Sequence, residues 1–415
     1  MFLRAFGPGV AFLRLSGPAG ARGATMDLVR RLTRWVGMPT WSRDPAGVER
    51  FLRELDPLFR DLGAATELVS LPAWRTRDEA GEAATFVPAP ALWATRRPEA
   101  PCRVLLVAHA DTALPPSAPS PPDSPRSDRL GGAGALDDKG GILVLWEALR
   151  RYEAGSGTSP EIGWSVWIAP EEELGSPCSG PELQRRAAGH DLALVFEPSH
   201  PDGALVSDRD GSGNYIAVVR GRRAHAGRNP EQGRNAVHAL AALVVELDEL
   251  GRADPELRIN VGEIRGGEAV NVIPDRAVAR WNVRARTPEA AARFEKALAA
   301  VHARVAARFG VGIEIEGRFG RPPRRLDARA EALYRALAAC AADLGRELPW
   351  RPSGGVSDAN LLTALGLPCA DGLGPRGDGM HTAEEWVAVE SLEERAALVH
   401  AFLCRLEAGV PWNSG

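Results

Sequence analysis

The run Val104-Leu105-Leu106-Val107-Ala108-His109-Ala110-Asp111 puts an imidazole and a carboxylate two residues apart at the end of an apolar stretch. Two later stretches are built the same way. Ile162 to Ala169 runs into Pro170 and then Glu171-Glu172-Glu173, and Leu192 to Phe196 runs into Glu197. Histidine nitrogens and carboxylate oxygens gathered on one edge make a donor set suited to a divalent metal with open coordination positions. One His-x-Asp alone would more often be a satisfied surface pair. Three stretches of the same construction point to a shared site.

The elements that must position these side chains follow from hydrophobic pattern. Unbroken apolar runs read as strands buried on both faces, as in a parallel sheet. At the carboxyl edge of such a sheet, side chains enter a crevice rather than a core. Leu28, Leu32 and Val36, then Val48, Leu52, Leu55, Phe59 and Leu62, have helical spacing broken at Pro39, which predicts helices covering the sheet. The segment Gly131-Gly132-Ala133-Gly134-Ala135-Leu136-Asp137-Asp138-Lys139-Gly140-Gly141 pairs glycine with adjacent carboxylates ahead of an apolar helix from Ile142 to Tyr152. An aspartate there can cap the helix or ligate a metal, and the two roles are compatible. A dinucleotide loop is excluded, because the third glycine of GxGxxG is Asp137.

Between Asp208 and about Phe319 the pattern becomes strand, helix, strand, strand, helix, strand, with strands over Asn214–Arg220, Arg258–Ile264, Ala277–Arg286 and Val311–Glu316 and helices over Asn235–Leu250 and Pro288–Phe309. That is the ferredoxin-like order, expected as an inserted lid. A helix over Asp327–Leu344, a turn at Ser353–Asn360 that enters another helix, a short strand at Leu367–Leu373 and a glycine-flexed loop carrying His381 complete the main body. The expected fold is therefore α/β, a mostly parallel-sheet catalytic domain (26–208 and 323–415) with a ferredoxin-like α+β lid (209–322). Residues 1–25 are expected to form a disordered extension.

A chain of 415 residues exceeds one core and implies two domains. With 45% hydrophobic and 25% charged residues it has the make-up of a soluble globular protein. A formal net charge of -4 gives no footprint for nucleic acid or an acidic membrane surface. Arg4 and Arg14 interrupt the apolar N-terminus, so neither a membrane span nor a clean signal peptide is read there. Cys102, Cys178, Cys340, Cys369 and Cys404 show no paired spacing and fit reduced thiols in a cytoplasmic protein. No GxSxG in a strand-to-helix context supports a serine hydrolase.

The motifs AHAD, ALDDKGG, PEEELGS, FEPS, RAHAGRNPEQGRNAV, SGGVSDAN and GDGMHTAEEW, in that order from Met26 onward, together resemble one family. It is the dizinc metallopeptidase and amidohydrolase family of acetylornithine deacetylase, succinyl-diaminopimelate desuccinylase, aminoacylase and glutamate carboxypeptidase, with the nearest likeness to the glutamate carboxypeptidase branch. The resemblance implies two zinc ions bridged by Asp137 and a water, one held by His109 and Glu197 and the other by Glu173 and His381. The same ligands accept cobalt or manganese. It further implies a cis peptide at Asp137-Asp138, Asp111 orienting His109 through its second ring nitrogen, and Glu172 as general acid/base.

His225 of the HAG motif would reach the oxyanion from the partner subunit's lid, which implies a homodimer. Asn271 and Arg284 would contact substrate, Arg284 at its carboxylate, with Arg321, Gly354 and Gly355 lining the cleft. Taken without the resemblance, Arg284 reads equally well as a solvent-facing strand charge. The sequence departs from the family pattern at Glu171 (commonly Asp), at Gly132-Ala133-Gly134 (commonly Gly-Pro-Gly) and at Val356 (often Thr), and none of these removes a ligand. The implied activity is metal-dependent hydrolysis of an amide in an N-acyl amino acid or small C-terminal peptide-like substrate. An acetylornithine-type deacetylase is the alternative within the class. A metal-dependent amino-acid or peptide binder without turnover is the alternative outside it, and such a protein would have no use for Glu172.

Overall fold

In the computed structural model, which describes residues 18–115, 128–155 and 161–409, the apolar runs become the centre of a six-stranded sheet. Its strands are β1 (Ala65–Val69), β2 (Ala91–Arg96), β3 (Cys102–His109), β4 (Ile162–Ala169), β5 (Leu192–Val195) and β10 (Cys369–Asp371). They lie in the order β1-β2-β4-β3-β5-β10. The pairings β4/β3, β3/β5 and β5/β10 are parallel, and β2 alone runs in reverse, antiparallel to both neighbours. Every residue of β4 and the last six of β3 are buried, as expected of strands covered on both faces.

One face packs on α1 (Pro18–Val36), α2 (Pro45–Asp61), α3 (Lys139–Gly155), α6 (Ala328–Asp343) and α7 (Val389–Glu407), with Trp35, Phe51, Leu106, Tyr152 and Phe402 in a common core. In α2 the buried Val48, Phe51, Leu52, Leu55 and Phe59 form the apolar stripe that the spacing predicts. The opposite face packs on the short helices Ser179–Ala187 and Ala359–Ala364, through Leu105, Val107, Trp167, Leu183 and Leu362. Of the expected N-terminal extension, residues 1–17 lie outside the described residues, and α1 already begins at Pro18. Most of the proline- and serine-rich stretch after Ala113 also lies outside them.

The lid is β6 (Gly211–Arg220), α4 (Ala236–Ala253), β7 (Leu257–Gly266), β8 (Arg276–Ala285), α5 (Pro288–Phe309) and β9 (Gly312–Arg321). The strands are antiparallel in the order β7-β8-β6-β9, the ferredoxin-like arrangement. Tyr215 stacks on Trp281 at 5.6 Å and meets Phe294 of α5 edge-on, closing the helical face. The other face carries the buried Ile216, Val218 and Val278. A hairpin that sequence reasoning does not foresee, Trp74–Arg77 with Ala83–Phe86, lies against this face. At its turn Gly81 has φ +76°, and a Cβ there would stand 2.8 Å from Val218 and 2.9 Å from Val278, so glycine suits both the conformation and the approach.

Candidate metal centre

Three parallel strands end together. His109 closes β3 in register with Ala169 of β4, and Val107 is paired with Val195 of β5. Chain direction therefore carries Glu172, Glu173 and Glu197 past the same edge as His109. Glu172 and Glu173 follow on one 3-10 turn, Glu172–Leu174, and Asp137 arrives from the turn ahead of α3. The Asp137-Asp138 peptide is cis, as the resemblance implies. His381 comes from a loop after the lid and has a left-handed backbone, φ +62°.

Asp137 is the junction. Its Oδ1 is 2.8 Å from Nε2 of His109 and its Oδ2 is 3.3 Å from Nε2 of His381. Beyond it, His109 Nε2 is 3.9 Å from Glu197 Oε1, and His381 Nε2 is 3.0 Å from Glu173 Oε1. Donor atoms of His109, Asp137 and Glu173 lie within 4.8 Å of one another, and so do those of His109, Glu172 and Glu197. Ligand atoms sharing one zinc, each about 2.1 Å from it, stand on the order of 3.3 Å apart, so these spacings suit ions between the side chains.

The electrostatics agree. Burial and then neighbouring carboxylates push the Glu197 carboxyl well above its ordinary range, and burial raises Glu172 to about 8 against the pull of Arg321 and His109. Asp137 is held low despite its burial, by bonds from His109 and His381. Buried Asp138 Oδ1 has no hydrogen-bond partner among the described residues. Crowded buried carboxylates with unmet lone pairs call for cations, and the donor set of two imidazoles and three carboxylates fits a pair of divalent ions.

The surrounding contacts refine several expectations. His109 Nδ1 is 3.1 Å from the main-chain oxygen of Asp111 and 3.4 Å from its carboxylate, so the backbone carbonyl is the nearer acceptor. The Asp111 carboxylate instead accepts the N–H groups of Glu172 and Glu173, at 3.0 and 3.1 Å, and the hydroxyl of Ser42 at 2.7 Å. Asp111 thus fixes both the imidazole and the glutamate turn. Arg321, expected to line the cleft, is buried, and its Nη2 lies 2.7 Å from Glu172 Oε1, 2.9 Å from Asp358 Oδ1 and 2.9 Å from the Ser176 hydroxyl. Its Nε has no hydrogen-bond partner among the described residues.

Arg284, on β8, donates from Nε to Asn282, while its buried Nη1 has no hydrogen-bond partner among the described residues. Burial and then the neighbouring Arg321 charge lower the Arg284 guanidinium pKa, against the pull of Asp210 and Glu172. His225 ends the strand Ala224–His225 of the lid, which pairs with Val272–Ile273, and Asn271 stands in the turn just before that partner strand; both are exposed, and among the described residues neither makes a hydrogen bond or ion pair to the cluster. His225 Nδ1 accepts the N–H groups of Gly227 and Arg228, which leaves Nε2–H as its donor when neutral. Gly354 and Gly355 sit in an exposed turn near Arg258 and Arg209.

Ser42, Ser176, Asp358 and Glu385, which also hold this site, were not singled out from sequence. Ser176, Asp358 and Glu385 stand inside three of the motifs that carry the family resemblance, a signal that only the fold turns into contacts.

The profile of peptidase family M20/M25/M40 matches residues 105–405. The chain is 30% identical over 341 residues to succinyl-diaminopimelate desuccinylase of Methylococcus capsulatus, covering 76% of this chain and 86% of that one. It is 27% identical over 319 residues to carboxypeptidase G2 of Pseudomonas sp., covering 74% of each. The structure of an M20 family metallo-carboxypeptidase, Sso-CP2 from Sulfolobus solfataricus, has the same fold, with a TM-score of 0.72, 17% identity and coverage of 91% of this chain and 98% of that one.

Proposed function

Since the chain belongs to peptidase family M20/M25/M40 and is accordingly a metal-dependent peptidase or amidohydrolase, we propose that it hydrolyses an amide next to a free carboxylate, in an N-acyl amino acid or a small C-terminal peptide-like substrate. The observation that carries this reading is the pair of unmatched buried donors, Arg284 Nη1 and Arg321 Nε, beside the carboxylate cluster. A substrate carboxylate would satisfy both through charge-assisted bonds. Asp137 would bridge two zinc ions, with His109 and Glu197 on one and Glu173 and His381 on the other. When bound, such a pair supplies Lewis acidity that ionises water and polarises the amide carbonyl.

The chain's own residues do the rest. Glu172, unligated and held by Arg321, takes the proton of the attacking water and returns it to the leaving nitrogen. Asp111 keeps the His109 ring and the Glu172-Glu173 turn in place. His225, exposed on the lid, is available to donate to the oxyanion of a neighbouring copy's site, which is the reason to read the enzyme as a homodimer. Its scattered cysteines favour the cytoplasm.

The test is a panel of N-acyl amino acids and C-terminal glutamate amides, each paired with the substrate whose carboxylate is amidated. Hydrolysis of the free acids only, abolished by chelation and restored by zinc, is expected. Full activity after metal stripping, or equal rates on the amidated partners, would defeat the proposal.

A further inference from the structure

Asp137 and His381 must keep a fixed separation for both to face one ion, yet each sits on a loop outside the main sheet. The Asp137 turn is glycine-rich, and the His381 side chain is exposed. One residue ties the two loops together. Glu385, four residues beyond His381, accepts the Gly132 N–H on its main-chain oxygen at 3.0 Å. Its side chain is buried, 4% exposed, and accepts three further N–H groups: Gly134 on Oε2 at 3.1 Å, Leu136 on Oε1 at 2.8 Å and Asp137 on Oε1 at 3.0 Å. The residues that follow, Trp386–Ala388, pair antiparallel with Arg129–Gly131 on one side and with Gly377–Asp378 on the other. A small sheet thus carries the start of both loops, and Glu385 closes it at the metal end.

Resting on the reading of Asp137 as the bridging ligand, we infer that Glu385 is a positioning residue that sets the Asp137 turn against the His381 loop before any ion arrives. The chemistry requires a carboxylate. Three backbone donors converge on two acceptor oxygens, whereas an amide offers one oxygen and turns its NH2 toward N–H groups. A donor-to-donor clash at that point opens the turn and moves Asp137 away from His381. His109 and Glu197 follow directly from the sheet edge and do not depend on Glu385. Both ions lose part of the bridging carboxylate, and the ion between Glu173 and His381, whose histidine also stands on the tethered loop, suffers more.

The test titrates chelator-stripped full-length parent and Glu385→Gln with Zn2+ against a chromophoric competitor, with Glu384→Gln, at the exposed neighbour on the same loop, as control. The parent and Glu384→Gln should take up two ions with the same affinities. Glu385→Gln should bind the weaker ion about 10- to 100-fold less tightly, the range found when groups supporting metal ligands are removed. Unchanged titration of Glu385→Gln would overturn the inference. Should that variant fail to fold, amide exchange on the stripped parent gives the answer. Protected Leu136 and Asp137 amides support a preset turn, and exchange at the rate of a free loop overturns it. A parent that binds no second ion would instead sink the dinuclear reading, so the two failures are told apart.

Discussion

Glu172 owes its chemistry to neighbours far away in the chain. Arg321, at the end of β9, places a guanidinium 2.7 Å from a carboxylate whose pKa burial raises to about 8 against that pull. Replacing Glu172 with Gln keeps the shape of the side chain and removes the base. Turnover should fall by about 10²- to 10⁴-fold, the usual worth of a positioned general base, while zinc occupancy stays at the parent level. A Glu172→Gln enzyme with parental turnover would move the role elsewhere. The ligand types were legible in sequence because each ends an apolar run or sits in a glycine-rich turn, where backbone direction brings the side chain to the crevice. What Arg321 and the Asp111 carboxylate hold was not, since no local pattern records a contact between residues 149 or 61 positions apart.

At the level of elements, the turn Ser353–Asn360 and β10 are held by a buried ionic cluster. Asp371 accepts Arg209 at 2.6 and 3.1 Å, Arg324 at 3.2 Å and the Ser357 hydroxyl at 3.1 Å. Burial works against its charge, but the two guanidinium groups outweigh burial and hold the carboxyl below its ordinary value. A group whose pKa is lower folded than unfolded stabilises above the unfolded value, about 3.9 for Asp, and that contribution is lost as pH falls through the folded value. Asp371→Asn, which strands two buried arginines, should cost about 3–5 kcal/mol at pH 7. Melting parent and variant from pH 7 down to pH 3 should show the gap narrowing only below about pH 4; a gap constant with pH would contradict the assignment.

Elements with their own signals were readable. The helix Pro288–Phe309 has the bounds its pattern predicts, because Thr287 caps it and Gly310 ends it in a left-handed conformation. The hairpin at 74–86 and the reversed strand β2 had no such signal. Trp74–Arg77 is mostly polar, and it is held by residues of the lid more than 130 positions on, among them Glu314 and Glu316 bound by Arg77, and Val218 and Val278 against Gly81.

On the scale of the whole molecule, the lid meets the catalytic body at several places among the described residues, two of which bear on the open lid face and the site. One is the hairpin, where Arg265 pairs with Glu79 at 2.6 Å and Arg276 with Glu82 on the open face of the lid sheet. The other is Arg321, which ends β9 inside the site. No helix among the described residues is long and apolar enough to cross a membrane. The donors proposed to bind metal come from both sides of the lid insertion, His109 to Glu197 before it and His381 after it, so the proposed centre requires the chain on both sides of the lid to be folded. Elemental analysis of the purified full-length protein, beside Asp137→Asn, reads that convergence directly. Two divalent transition-metal ions per chain, with at least one lost in the variant, is the predicted result; a parent that carries none, even after equilibration with zinc, would contradict it.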